Sequence, residues 1–164
     1  METALQTRVE ESRNELIQLV SFKLEHEEYG VNVLKVREII RMPSITRVPN
    51  TPHYIEGVIN LRGKVIPIIS MRKRFNLPDG EISSQTRIMV IDMEGELMGF
   101  VVDAVSEVIR IAESEIQPPP AVVNSAVEQE CLAGVINQTD RLLFFLNLEK
   151  LISRDERHLF SGMM

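Results

Sequence analysis

The chain is 164 residues long, 44% hydrophobic and without tryptophan, and its formal charge is −6. That length fits one domain or two very small ones, packed with aliphatic and β-branched side chains. The acidic balance argues against a nucleic-acid surface, which needs clustered positive charge. A lone cysteine, Cys131, allows neither an internal disulfide nor a cysteine metal site, and fits a reducing, intracellular setting.

In chain order, residues 1–17 lack the apolar core of a signal peptide. They read as a flexible tail or a short amphipathic helix through Leu5, Val9 and Leu16. No apolar run approaches the roughly 18 residues of a membrane span. "QLVSFKLEHE" alternates Leu19, Phe22 and Leu24 against polar neighbours, the signature of a half-buried strand. Glu27 and Glu28 suit a turn before the next strand, "YGVNVLKV". "PHYIEG" predicts one or two helical turns. "KVIPIISM" is a strand in which Pro67 implies an edge position or a bulge. "SMRKRFN" predicts a short helix, and "RIMVIDME", "ELMGFVVDAVSEVIRI" and "RLLFFLNL" are further strands. Between them, "ESEIQPPPAVVNSAV" is a proline-bounded loop, and "NLEKLISRDERHLF" predicts a C-terminal helix.

The chain also repeats itself. A shift of 69 places "LEHEEYGVNVLKVREIIR" on "MEGELMGFVVDAVSEVIR", matching Gly30, Val36, Glu38 and Arg41 with Gly99, Val105, Glu107 and Arg110. A shift of 77 then aligns two G-V-I-N words, residues 57–60 and 134–137, and the apolar strands after them. The change of shift puts extra residues in the second half, where the proline loop lies. Two similar β-subdomains follow, about 18–80 and 86–151, joined through "LPDGEISSQ" and with room for the chain to cross between them. The plainer alternative is that strand–turn–strand units resemble each other because β-sequences have few options.

Catalytic chemistry finds little support. His26, His53 and His158 lie far apart, and neither a metal-binding histidine spacing nor a phosphate-cradling glycine loop occurs. Cys131 follows Glu130, which disfavours a thiolate. Asp92 and Asp140 read as turn residues, and the basic run Arg72, Lys73, Arg74 as a solvated helix face. The halves differ where the first G-V-I-N continues as Leu61, Arg62, Gly63 and the second as Gln138, Thr139, Asp140. Gly63 supplies a backbone conformation costly for other residues. Arg62 is then either a solvated turn residue or an interface arginine suited to a carboxylate.

The segments "EEYGVNVLKVREII", "RVPNTPHYIEGVINLRGKVIPIISMRKRF", "VVDAVSEVI" and "LAGVIN" resemble, in order, the CheW family of bacterial chemotaxis coupling proteins. The resemblance covers about Gln18 to Leu151, leaving 152–164 as a C-terminal segment. It implies a mainly β fold of two small five-stranded SH3-like barrels with a few short helices. It also implies a cofactor-free, non-enzymatic adaptor in the cytoplasm, recruited to membrane-associated chemoreceptor arrays. There it would join the cytoplasmic tip of methyl-accepting chemotaxis proteins to the regulatory domain of the histidine kinase CheA. Carried over position by position, the receptor surface comprises Val36, Glu38, Arg62, Val105 and Val108, and the kinase surface Ile39, Glu56 and Val58. Val36 is expected on the same strand face as Glu38. The chain departs from the family at Ser70 and Asn147, where acidic residues are usual, and at Met71, where leucine is. The same fold in the kinase itself, or fused to a receiver, is disfavoured: no phosphotransfer segment precedes it, and 164 residues leave no room for a receiver.

Overall fold

The computed structural model describes residues 15–119, 131–153, Glu156 and Arg157. Eleven strands dominate it: β1 (Leu16–Leu24), β2 (Glu27–Asn32), β3 (Val36–Arg41), β4 (Ile55–Leu61), β5 (Lys64–Ser70), β6 (Arg87–Met93), β7 (Glu96–Val102), β8 (Ala104–Ala112), β9 (Ile116–Gln117), β10 (Leu132–Gln138) and β11 (Arg141–Leu146). One short helix, α1 (Met71–Arg74), follows β5. Turns of 3-10 helix occupy Val33–Lys35, Glu113–Glu115 and Leu148–Lys150.

The strands form two sheets, in the orders β3-β6-β7-β5-β4 and β8-β1-β2-β11-β10-β9. Under the repeat, β1 to β5 correspond in turn to β6, β7, β8, β10 and β11. Both sheets therefore have the same order, with the third, first, second, fifth and fourth strands side by side. Each takes its first two strands from one half of the sequence and the other three from the other half. The sheets do not divide at the boundary read between Leu77 and Gln85; the chain crosses over twice. The Val33–Lys35 turn carries it out of the second sheet, and Asp103, between β7 and β8, carries it back. The two G-V-I-N words occupy equivalent places in β4 and β10, each just after a register shift, at Ile55/Gly57 and Leu132/Gly134.

Each sheet closes on itself at those glycines. Thr46 bridges Val58 in both directions, N to O at 2.9 and 2.8 Å, and β9 pairs with β10 at the matching position, Gln117 opposite Val135. A Cβ on Gly57 would lie 2.2 Å from the Thr46 carbonyl oxygen, and one on Gly134 2.8 Å from that of Gln117. Only glycine lets the closing segment approach so near.

Three apolar clusters result. Ile59, Ile66, Ile68, Ile88 and Val90 fill the first barrel, and Leu19, Ile111, Ile136 and Leu143 the second. The largest lies between them and includes Val20, Phe22, Ile91, Phe100, Leu132, Leu146 and Leu151. This corrects the reading of β1 as half-buried: Leu19 faces a barrel interior while Val20, Phe22 and Leu24 face the shared core. Five local expectations also change. The β1–β2 turn falls on Glu25 and His26, with Glu25 at a φ of 56°, and β2 begins at Glu27. "PHYIEG" is a turn closed by the Ile55 N–H on the Pro52 carbonyl, running directly into β4. Residues 16 and 17 already belong to β1. Pro67 sits in an interior strand between β4 and β7. It is tolerated because Val58, opposite it, directs its own N–H and C=O to Thr46, and the β5–β7 ladder begins only at Ile68. The expected C-terminal helix is not continuous: it starts as the Leu148–Lys150 turn, residues 151–153 are non-helical, Glu156 and Arg157 are helical, and residues 154, 155 and 158–160 lie outside the described residues.

Candidate functional site

The Leu61–Lys64 pair closes a two-residue hairpin, with Arg62 at a φ of 51° and Gly63 at 85°. Two successive positive φ angles make the turn whose twist matches a hairpin's strands, and they favour Asn-Gly. The Asn60 side chain accepts a 2.8 Å hydrogen bond from the Gly63 N–H and steadies it. Glu94 and Gly95 make the same turn between β6 and β7, at φ values of 54° and 91° with the Gly95 N–H on the Asp92 side chain, so the arginine's conformation belongs to the hairpin. The equivalent Thr139 and Asp140 take no positive φ. The Arg62 side chain is 72% exposed and forms an ion pair with Glu38, which raises the guanidinium pKa above its ordinary value. The structure thus joins two of the receptor candidates across the barrel, from β3 to the β4–β5 turn.

Val36 does not share their face. A bulge at Arg37 sets Val36 opposite Ile91 but Glu38 opposite Val90. Adjacent residues of β6 face opposite ways, so the extra residue breaks the expected alternation. Val36 packs half-buried on the shared core beside Ile91, whereas Glu38 lies on the side of Val90, which points into the barrel. The same bulge recurs at Ser106, where Val105 faces Phe22 and Glu107 faces Ser21. Val105 also packs on the shared core. The repeat partners Ile39 and Val108 lie outward on β3 and β8, 39% and 56% exposed. By register, Val36 belongs with Ile39, not with Glu38.

The other kinase candidates, Glu56 and Val58, are half-buried on the outer face of β4. Glu56 is paired with Lys73 at 3.0 Å. The basic run of α1 is not a solvated face, because each member is anchored. Arg72 donates to Asp103 through Nε at 2.8 Å and Nη2 at 2.5 Å, and to the Pro78 carbonyl at 2.9 Å. Arg74 lies 4.4 Å over the Tyr54 ring and reaches the Leu151 carbonyl and Glu156. Burial pushes the Asp103 carboxyl up, but Arg72 and the Glu25 N–H outweigh it and hold the pKa below the usual value. The repeat partner of Arg72 is Glu149, which pairs with Lys35 at 2.5 Å, an ion pair of reversed sign.

Sequence reasoning missed this node, because Asp103 has no counterpart in the first half: position 34 is leucine. It also missed a network in which Arg141 pairs with both Glu28 and Glu107. Ser70 and Asn147, two of the departures noted above, turn out to be equivalent helix caps. The Ser70 hydroxyl accepts from the Lys73 N–H at 3.2 Å, and the Asn147 amide oxygen from the Glu149 N–H at 3.1 Å. Serine, asparagine and aspartate all do this work. Among the described residues, no helix is long and apolar enough to cross a membrane.

A CheW-like domain model matches residues 18–156. The chain belongs to the CheW-like family. Chemotaxis protein CheW of Helicobacter pylori is 35% identical over 146 residues, covering 89% of this chain and 87% of that one. CheW of Bacillus subtilis is 36% identical over 137 residues, covering 84% and 87%. The crystal structure of the scaffolding protein TtCheW from Thermoanaerobacter tengcongensis matches at a TM-score of 0.79 and 37% identity, over 87% of this chain and 96% of that one. The CheW-like assignment makes the chain a chemotaxis scaffold with the mainly β, two-sheet architecture described above.

Proposed function

We propose that this CheW-like chain is a non-enzymatic adaptor. It couples the cytoplasmic tip of methyl-accepting chemotaxis proteins to the regulatory domain of the histidine kinase CheA, in the cytoplasm at receptor arrays. The observation that carries the receptor half is the Arg62–Glu38 pair, an exposed arginine set on the β4–β5 turn and ion-paired to β3, where the equivalent turn of the second half carries Thr139 and Asp140. The outward Val108, with Val36 and Val105 half-buried beneath the same outer faces, adds an apolar strip on the two third strands. An apolar strip with a charged edge suits a helical hairpin. Ile39, Glu56 and Val58 on the first barrel remain the proposed kinase contacts, although Ile39 shares the Val36 face.

The experiment is paired binding and melting. Arg62→Ala is expected to leave the melting temperature essentially unchanged and to weaken binding of a receptor-tip fragment about thirtyfold, the loss typical of a truncated interface anchor. Glu38→Lys should weaken the receptor comparably and leave the kinase regulatory domain bound. Loss of both partners together, or a fall in melting temperature, would make Arg62 structural and overturn the site. A kinase assay in which phosphate is transferred stoichiometrically onto this chain would end the adaptor reading.

A further inference from the structure

The residue at repeat position 34/103 is spent differently in the two halves. In the second it is Asp103, hydrogen-bonded to Arg72 and Glu25 at the chain crossing. In the first it is Leu34, at the same crossing, 86% exposed. Leu34 is presented by a rigid device: Asn32 caps the 3-10 turn, its side-chain oxygen accepting the Leu34 N–H at 2.9 Å. One exposed leucine is ordinary, but Leu34 shares a groove with Leu16, also exposed, and grouped exposed apolar side chains mark a partner site.

Leu34 also forms one wall of a groove of about 310 Å³. Val33 lies beside it, and Leu16, 63% exposed, and Arg110 line it from β1 and β8, with Glu15 at the strand end. Arg110 sits opposite Gln18 and Val108 opposite Val20, so Arg110 and Val108 share one face of β8. Val36 follows the Leu34 turn by two residues. The groove thus lies two residues along β8 from Val108 and two residues before Val36, with Leu34 in its wall. Among the described residues, neither Arg110 nor the bulge residue Arg37 forms an ion pair with a carboxylate, in a chain whose formal charge is −6.

We propose that Leu34, with Leu16 and Arg110, is a further specificity-determining part of the receptor surface, taking an amphipathic helix that carries a carboxylate on its flank. The inference rests on the receptor reading above. Leu34 enters the apolar face of the helix, and Arg110 meets the acidic flank, which also sets the orientation of docking.

The test is calorimetric titration of the full chain with a soluble receptor-tip fragment folded as a helical hairpin, using Leu34→Gln, Arg110→Glu and Arg62→Ala. Leu34→Gln keeps the backbone cap, so its melting temperature should match the parent's while affinity falls tenfold or more. Arg110→Glu should weaken binding and flatten its dependence on salt. If Arg62→Ala weakens binding but Leu34→Gln and Arg110→Glu do not, this inference fails and the receptor reading stands. If the parent chain does not bind the fragment, the receptor reading fails and takes this with it. Should Leu34→Gln abolish self-association in sedimentation while receptor affinity is unchanged, the occupant is a second copy, and the proposal is overturned.

Discussion

Asp103 is the side chain that anchors the return crossing between β7 and β8. Its carboxylate takes two bonds from Arg72 and one from the Glu25 N–H at 2.7 Å, tying α1 to the β1–β2 turn. Asp103→Ala should cost roughly 1.5–3 kcal/mol, the range for hydrogen bonds to charged groups, towards the lower end because both side chains are partly solvated. Its pH dependence follows from a folded-state pKa held below the ordinary one. The native state then binds fewer protons than the unfolded one near the carboxylate range. Asp103 therefore stabilises fully above about pH 4, and that stability is lost as pH falls through its lower native value. Acid melts of the parent and of Asp103→Asn should converge below that window and separate above it; curves that stay parallel to pH 2 would remove Asp103 from the account.

At the scale of elements, closure glycines and turn glycines ought to behave differently. Gly63 has a φ of 85° but no atom within 4 Å of a built Cβ. Gly63→Ala should therefore cost only the backbone term, about 1–2 kcal/mol. Gly57, at a φ of 145°, would drive a Cβ into the Thr46 carbonyl. Gly57→Ala should exceed Gly63→Ala by about 1–3 kcal/mol, as overpacking adds to strain; equal losses in denaturant titrations would refute the closure argument. The repeat that exposes these positions was legible because duplicated elements keep residue identities, down to the G-V-I-N words. The crossover was not legible, for a physical reason. If β1 resembles β6 and β3 resembles β8, each third strand fits either first strand, and sequence likeness cannot say which copy pairs. The bulges at Arg37 and Ser106 were hidden too, since an extra residue looks like ordinary alternation until its partner strand is known. The Arg62 hairpin was legible in outline, but Leu34 read as one more strand residue.

For the whole molecule, the reciprocal pairing makes the halves interdependent. β1 pairs with β8 over eight residues of β1, and β3 with β6, so every barrel needs both halves. Chains cut between residues 80 and 85 should each lack ordered β-structure alone and regain it on mixing at equal concentration, as followed by circular dichroism and gel filtration. A half that folds cooperatively by itself would contradict the topology.

The two crossings have a mechanical meaning as well. Covalent chain passes between the sheets at Val33–Lys35 and at Asp103, and the largest apolar cluster fills the space between the barrels. Turning one barrel against the other would strain both crossings and shear that core, so the pair should move as a single stiff lever, not as beads on a hinge. A displacement imposed on either barrel is then carried undiminished to the other.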